Sequence, residues 1–170
     1  MNHKFVLSIL SLFLVVNLSA QQGISFVHSF KEAMAKAKKE NKIIFMDAYT
    51  TWCGPCKKLN REVFNQKAVG EYFNENFINL KMDMEKGEGI ALTEKYMIYL
   101  YPTLLFIDPN GKEVHRTAGF RTVPQFMELG KAALDPSRQS ASMADQYAAC
   151  LLYTSPSPRD RTRSRMPSSA

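Results

Sequence analysis

The chain has 170 residues, with 22 lysines and arginines against 16 aspartates and glutamates, a net charge of +6 and three cysteines. Hydrophobic residues make up 45% of it, which is enough for the core of one domain of ordinary size and excludes disorder over the whole chain. Three cysteines exclude a miniature fold held by several disulfides. The longest apolar run falls short of the ~18 residues typical of a membrane-spanning helix.

Residues 1–20 have the layout of a secretory signal peptide. Lys4 precedes an apolar stretch, Phe5–Val16, and a short segment follows that ends at Ala20. The apolar stretch is shorter than the ~20 residues that cross a bilayer, so we expect export and cleavage and no stable membrane insertion after cleavage. The alternative is a retained N-terminal anchor. This segment predicts a periplasmic or secreted protein.

Residues 150–170 differ in composition from the rest of the chain. The segment from Cys150 to Asp160 resembles a translated sequencing adaptor, and residues 161–170 fit its index and flow-cell end. The alternative is a natural basic tail, rich in proline and serine, that binds nucleic acid or an anionic surface. Residues 21–149 carry 17 basic and 15 acidic side chains, a net charge of +2, and two cysteines, so we expect no nucleic-acid partner.

The remaining chain predicts one α/β domain over residues 21–135, followed at 136–149 by a linker or the start of a truncated segment. Ser29 and Glu32 form a capping-box pattern that opens a helix through Glu40, with Asn41 after it. The other predicted elements are an interior strand at 42–47, helices at 53–64 and 68–76, a strand at 77–83, a helix at 90–96, a hairpin of strands 103–107 and 112–117, and a helix at 124–134. This order predicts a central mixed β-sheet flanked by helices on both faces.

Two cysteines lie where the first predicted strand and its loop meet a helix, in the sequence Trp52-Cys53-Gly54-Pro55-Cys56. This spacing predicts Cys53 at the helix N-terminus, where free N–H groups and the helix dipole stabilise a thiolate nucleophile. Cys56, one turn further, is near enough to resolve a mixed disulfide. Gly54 and Pro55 allow a tight turn and a helix start.

The sequence from about Phe26 to Leu134, which includes this cysteine pair, resembles the thioredoxin superfamily. Asp47, six residues before Cys53, stands where the family keeps a buried carboxylate that helps to move the proton of the second cysteine. Tyr101-Pro102-Thr103 stands where the family has its cis-proline loop, and Gly119 matches the glycine before the final helix. The Lys-rich first helix and residues 81–89 are more similar to exported thioredoxin-like proteins and to the periplasmic C-terminal domain of the thiol:disulfide interchange protein.

The resemblance implies a thioredoxin-like fold and a site in which Cys53, Cys56 and Asp47 are catalytic. It also implies a substrate-binding surface formed by Trp52, Gly54, Pro55, Tyr101, Pro102 and Thr103. Two positions depart from the family pattern. The position matching the family's lysine beside the buried aspartate is Asn79, with Lys81 two residues on, and Tyr101 replaces an aliphatic residue.

Each assignment has an alternative. The cysteine pair is also compatible with half of a zinc site, although His28 and His115 lack ligand spacing, or with an inert structural disulfide. Asp47 is also compatible with an ordinary carboxylate at a strand end, Trp52 with a core side chain, and Pro102 with a trans peptide bond.

The favoured function is an exported thiol-disulfide oxidoreductase, acting as a reductase on protein disulfides through the Cys53 and Cys56 dithiol. The sequence has no flavin or nicotinamide motif, so we expect no cofactor beyond the redox-active disulfide and a membrane-bound electron donor. We expect no metal, because there is no second Cys-x-x-Cys pair. The alternative is a non-catalytic binding module, of the client-binding or metallochaperone type.

Overall fold

The computed structural model describes residues 23–141. The predicted signal peptide at 1–20, most of the predicted linker, and the adaptor-like segment at 150–170 lie outside the described residues. Within residues 23–141, no helix is both long enough and apolar enough to cross a membrane.

A four-stranded mixed sheet forms the centre of the domain. Its strands are β1 (Ile44–Tyr49), β2 (Ile78–Asp83), β3 (Thr103–Ile107) and β4 (Glu113–Ala118), in the spatial order β2-β1-β3-β4. Strand β1 pairs in parallel with β2, whereas β3 is antiparallel to both β1 and β4. The predicted mixed sheet, with its interior first strand and its hairpin, is confirmed.

Among the described residues, five α-helices and one π-helical turn surround the sheet: α1 (Phe30–Glu40), α2 (Gly54–Leu59), the π turn (Asn60–Phe64), α3 (Lys67–Asn76), α4 (Glu88–Lys95) and α5 (Val123–Leu134). The predicted boundaries hold to within two residues. The π turn was not predicted, because the sequence of residues 53–64 is equally suitable for a continuous α-helix.

The start of α1 corrects one prediction. Ser29 caps the helix as expected, its Oγ accepting the Glu32 N–H at 3.4 Å. The Glu32 carboxylate, however, pairs with Lys36 at 2.7 Å. The bond from the Ser29 N–H to the Glu32 side chain, which is the second half of the predicted capping box, is not formed. Glu88, at the start of α4, instead accepts the next N–H of the chain, that of Phe30, at 2.8 Å.

The core lies in two layers, one on each face of the sheet. The first is aliphatic and packs α1 and α4 against the sheet. The second is aromatic and lies under α2, α3 and α5; Phe45 of β1 is fully buried there, and Phe73 stacks on Phe126 at 4.2 Å between ring centroids. Because side chains alternate along a strand, Asp47 shares the face of Phe45 and lies on the side covered by α2.

Hydrogen bonds of the domain continue past residue 135, its predicted end. The Ser140 N–H donates to His115 Nδ1 at 2.8 Å, and the Arg116 N–H donates to Ser140 Oγ at 3.1 Å. The first residues of the predicted linker therefore lie against β4.

Candidate active site

The two cysteines are joined as a disulfide at the N-terminus of α2. Cys53 is the N-cap residue, and its Sγ accepts the Cys56 N–H at 3.1 Å. Since a helix N-terminus leaves N–H groups without partners inside the helix, a sulfur at this position receives them directly. The structure therefore represents the oxidised form, with Cys53 placed at the helix N-terminus as predicted.

Gly54 and Pro55 form the exposed surface over the disulfide. Pro55 lies in the first turn of α2, where its missing N–H leaves no hydrogen bond unmade. A Cβ atom added to Gly54 would point into open space, although Cys53 and Cys56 are only 3% and 4% exposed. Within residues 23–141, no group of three His, Cys, Asp or Glu side chains could hold a metal ion.

Asp47 forms a buried ion pair on the sheet below α2. It lies opposite Lys81 in the register of β1 and β2, and Lys81 Nζ is 3.2 Å from Asp47 Oδ2. Lys81 Nζ also donates to Asn60 Oδ1 at 2.8 Å, in the π turn that continues α2. Asp47 is 0% exposed and lies beside Lys81, whereas the alternative interpretation has a strand-end carboxylate bonded to loop backbone.

The lysine beside Asp47 is thus Lys81, and the predicted match to Asn79 was wrong. Asn79 lies opposite Phe45, and its side-chain amide donates to the Phe73 carbonyl at 3.2 Å. Asn79 and Lys81 lie two residues apart on the same strand face, so the alternation of side chains could not tell which of them reaches Asp47.

Burial raises the pKa of the Asp47 carboxyl above its ordinary value, and the charge and hydrogen bond of Lys81 oppose this rise only in part. Beyond Lys81, neither carboxyl oxygen has a hydrogen-bond partner among the described residues. A cavity of about 340 Å³ is lined by Cys56, Asn60 and Lys81. The second cysteine therefore lines the same cavity as the lysine that pairs with Asp47.

The loop before β3 contains a cis peptide bond between Tyr101 and Pro102, as the family resemblance predicts, so the trans alternative is wrong. Two hydrogen bonds hold the loop. The Gly119 N–H donates to the Pro102 carbonyl at 2.8 Å, and Thr103 Oγ1 donates to the Leu100 carbonyl at 2.7 Å. The loop is therefore fastened both to its own strand and to the end of β4.

Trp52 joins this loop to the cysteine pair. Its side chain is 65% exposed, which excludes the core alternative. Its ring meets Tyr101 edge to face at 6.1 Å between centroids, and its Nε1 donates to Glu85 Oε1 at 2.9 Å. The structure thereby brings Trp52, Cys53 and the cis-proline loop together at one surface.

Sequence reasoning missed Asn60 and Glu85. Asn60 lies four residues after Cys56, and this spacing puts two side chains on one face of a helix, so a polar residue there was a usable signal. Glu85 follows β2 in a loop, and nothing in its local sequence indicates that it reaches Trp52, 33 residues earlier.

Comparison with known proteins gives a consistent set of relatives. A family model described as a thioredoxin-like domain matches residues 30–134. A solution structure from Bacteroides thetaiotaomicron, described as a proposed disulphide-isomerase, is 48% identical with a TM-score of 0.61, and the match covers 67% of this chain and 95% of that one.

Two curated relatives are matched over part of their length. Thioredoxin-1 of Drosophila melanogaster is 37% identical over 71 residues, or 42% of this chain and 62% of the relative. The thiol:disulfide interchange protein DsbD of Pseudoalteromonas atlantica is 29% identical over 108 residues, which is 62% of this chain and 18% of the relative. The chain thus spans less than two thirds of either curated relative.

Proposed function

The chain belongs to the thioredoxin-like domain family, and on this premise we propose that it is an exported thiol-disulfide oxidoreductase that reduces disulfide bonds in proteins. The observation that carries the proposal is the Cys53–Cys56 disulfide at the N-terminus of α2. It lies beside an exposed tryptophan that contacts the cis-proline loop. Such a position favours a reactive thiolate over an inert structural bond.

In the reduced protein, the Cys53 thiolate attacks one sulfur of a substrate disulfide. A bond forms between Cys53 Sγ and that sulfur, and the other substrate sulfur leaves as a thiolate. Cys56 then loses its proton, with Asp47, the partner of the cavity-lining Lys81, as the acceptor, and attacks Cys53 Sγ. The Cys53–Cys56 disulfide forms and the second substrate thiolate leaves, so two electrons have passed to the substrate.

Asp47 suits the second step because its pKa is raised by burial. A carboxyl with a raised pKa accepts a proton from a thiol more readily than a surface aspartate does. Cys56 is 4% exposed and lines the cavity that Lys81 also lines. An internal acceptor therefore assists deprotonation of Cys56.

We assign protein disulfides as the substrates. They would bind at the surface formed by Trp52, Gly54 and Pro55 and along the backbone of the cis-proline loop. The reaction oxidises the Cys53 and Cys56 dithiol, so each cycle needs a thiol donor that reduces the disulfide again. For an exported protein we expect this donor to be a membrane protein. The signal-like residues 1–20 support export, and the Gly-Pro pair between the cysteines resembles reducing thioredoxins.

Insulin reduction by dithiothreitol tests the activity. We expect the wild type to accelerate precipitation of the insulin B chain and Cys53→Ser to be inactive. Cys150→Ser is the matched control, because it removes the third cysteine of the chain, outside the described domain, and should keep the full rate. Equal rates for the wild type and Cys53→Ser would refute the enzyme and support a non-catalytic binding module.

A second pair of measurements tests direction and partners. Equilibration with glutathione should give a reduction potential near the thioredoxin value of about −270 mV, and a value near −120 mV would indicate an oxidant. Cys56→Ser should accumulate a mixed disulfide at Cys53 that dithiothreitol releases. Identification of the trapped proteins in an exporting host then names substrates and the electron donor.

A further inference from the structure

A short segment after α5 folds back onto the edge of the sheet. Strand β4 is the outermost strand, so one of its edges has no neighbouring strand among the described residues. Residues 136–141 lie at this edge: the Ser140 N–H donates to His115 Nδ1 at 2.8 Å, and the Arg116 N–H donates to Ser140 Oγ at 3.1 Å. We call residues 136–141 the strap. It occupies an edge that would otherwise present an open backbone N–H.

The strap is also fastened to α5. The Gln139 side-chain amide donates to the Ala133 carbonyl at 2.9 Å, and the Arg138 guanidinium pairs with Glu128 at 2.5 Å. The hydrogen bond from Arg138 lowers the pKa of Glu128 below its ordinary value. Mild acid therefore leaves these contacts with α5 in place, because an amide does not titrate and the ion pair stays charged.

The bond between Ser140 and His115 requires a neutral imidazole. A backbone N–H can only donate, so Nδ1 must supply a lone pair and the imidazole proton must lie on Nε2. A proton on Nδ1 would set two N–H donors against each other. The hydrogen bond would then be lost, and the Ser140 N–H would have to leave His115 to find another acceptor.

The surroundings of His115 do not favour its charged form. Its ring contacts Phe106 of β3, at 5.9 Å between centroids, and its other side lines a groove of about 310 Å³. The charged side chains that share this groove are Arg121, Glu128 and Arg138. Burial is the largest cause that lowers the pKa of His115, and the charge of Arg138 lowers it further, whereas Glu113 on the same strand opposes both.

Both carboxylates near His115 already have cationic partners. Glu113 pairs with Arg116, and Glu128 pairs with Arg138. A charged imidazole would therefore meet carboxylates whose charge is compensated. The closed strap thus binds the proton less well than an open one, in which the pKa of His115 returns towards its ordinary value of 6.5.

We propose that residues 136–141 are a pH-sensitive strap, which closes the outer edge of β4 at neutral pH and detaches from β4 when His115 takes up a proton. The proton comes from water and binds Nδ1, and the hydrogen bond from Ser140 breaks. Below pH 6.5 the ratio of open to closed strap should rise by up to about 10-fold for each pH unit, until the closed form is protonated as well. Opening exposes the Arg116 N–H to solvent.

Hydrogen exchange of single amides, followed by NMR on the full chain at pH 7.5 and pH 5.5, tests the proposal. Protection factors, which are exchange rates corrected for the intrinsic effect of pH, report how often each amide is open. We expect the Ser140 and Arg116 amides to lose protection by about 3- to 10-fold at the lower pH. The Gly119 amide donates to the Pro102 carbonyl just after β4 and should keep its protection, so it serves as the internal reference.

The test variant is His115→Asn, because the asparagine Oδ1 can accept the Ser140 N–H and does not titrate. Its Ser140 amide should have protection factors equal to within about twofold at the two pH values. The matched control is His28→Asn. His28 lies at the opposite edge of the sheet, with Nδ1 3.3 Å from the Lys81 carbonyl oxygen, so this variant should keep the wild-type pH response.

A second variant acts from the side of the strap. Ser140→Pro removes the N–H that donates to His115, and it leaves β4 itself unchanged. The Arg116 amide of this variant should have low protection at both pH values, without a pH response. This measurement decides the question if His115→Asn does not fold.

Three results would overturn the proposal. Wild-type protection of the Ser140 amide that is the same at both pH values would show that a proton does not open the strap. A pH response that persists in His115→Asn would assign the effect to another group. Loss of protection at Gly119 in step with Ser140 would show that the whole domain is destabilised. Each readout is independent of the cysteines, so the result stands apart from the proposed function.

Discussion

Substitution of Lys81 by methionine removes the cation from the buried ion pair below the cysteines. Lys81 Nζ lies 3.2 Å from Asp47 Oδ2, and the side chains of these residues are 19% and 1% exposed. Coulomb's law with an effective dielectric constant near 20 gives about 5 kcal/mol of attraction at this distance. Removing one partner of a buried pair typically costs about 3–5 kcal/mol, so we expect Lys81→Met to lower the free energy of unfolding by about 3 kcal/mol at pH 8.

The cost should depend on pH in a direction fixed by the raised pKa of Asp47. Below the ordinary aspartate value of 3.8, Asp47 is protonated in both folded and unfolded chains and contributes no pH dependence. Above pH 3.8, the Asp47 carboxyl loses its proton in the unfolded chain before it does so in the folded chain. The free energy of unfolding therefore falls as pH rises, until the folded carboxyl also ionises. Without Lys81 the folded pKa rises further, and the cost of Lys81→Met should grow from near zero at pH 4 to its full value at pH 8.

Urea denaturation of the oxidised proteins measures this cost at both pH values, and a double-mutant cycle with Asp47→Asn isolates the pair. In the Asp47→Asn background, Lys81→Met should cost about 1 kcal/mol or less at either pH. A cost that is the same at pH 4 and pH 8, or that is unchanged by Asp47→Asn, would refute the reasoning. The step at Cys56 adds an activity readout: Lys81→Met should shift the pH dependence of mixed-disulfide resolution upward, since Asp47 must ionise to accept the proton.

Three further predictions concern stability. Met97→Gly should raise the free energy of unfolding by about 0.5–1 kcal/mol in urea, because glycine adopts the left-handed conformation without strain, and Met97→Ala should bring no such gain. Phe126→Ala should cost about 3–5 kcal/mol, because the ring is fully buried and stacked on Phe73; a cost below 1 kcal/mol would contradict this packing. Burial lowers the pKa of His115, whose Nδ1 accepts the Ser140 N–H, so the contribution of His115 to stability should fall as pH drops below 6.5. The difference in urea midpoint between wild type and His115→Asn should therefore change between pH 7.5 and pH 5.5 in favour of the variant.

The element types could be predicted because their patterns are strong, whereas their ends depend on partners. Strand β1 was predicted to end at Asp47, where its apolar run breaks. It continues through Ala48 and Tyr49 because these residues pair with Met82 and Asp83 of β2. Local sequence shows which residues favour a strand, but the length of the neighbouring strand decides where pairing stops.

The site was predictable to the extent that it is local in sequence. The position of Cys53 at a helix N-terminus follows from residues 52–57 alone, and the structure agrees. The contacts that join distant segments were not predictable in this way. Glu85 reaches Trp52 across 33 residues, and Lys81 reaches Asn60 across 21. The periodicity of hydrophobic residues indicates helices and strands but not which distant residues come into contact, so these two contacts could be identified only from the folded chain.

The structure gives the two sulfurs different surroundings, and in the proposed reaction this difference sets the order in which they act. Cys53 Sγ accepts the Cys56 N–H at the helix N-terminus, a position that stabilises charge on the sulfur. Cys56 lies one turn further, beside the cavity lined by Lys81 and Asn60, and Lys81 pairs with the buried Asp47 carboxyl, which we propose as the proton acceptor. We therefore expect Asp47→Asn to slow resolution by Cys56 while leaving attack by Cys53 near its wild-type rate. The π turn has a direct part in this arrangement, since it contains Asn60, the residue that holds the ammonium group of Lys81 from the side of α2.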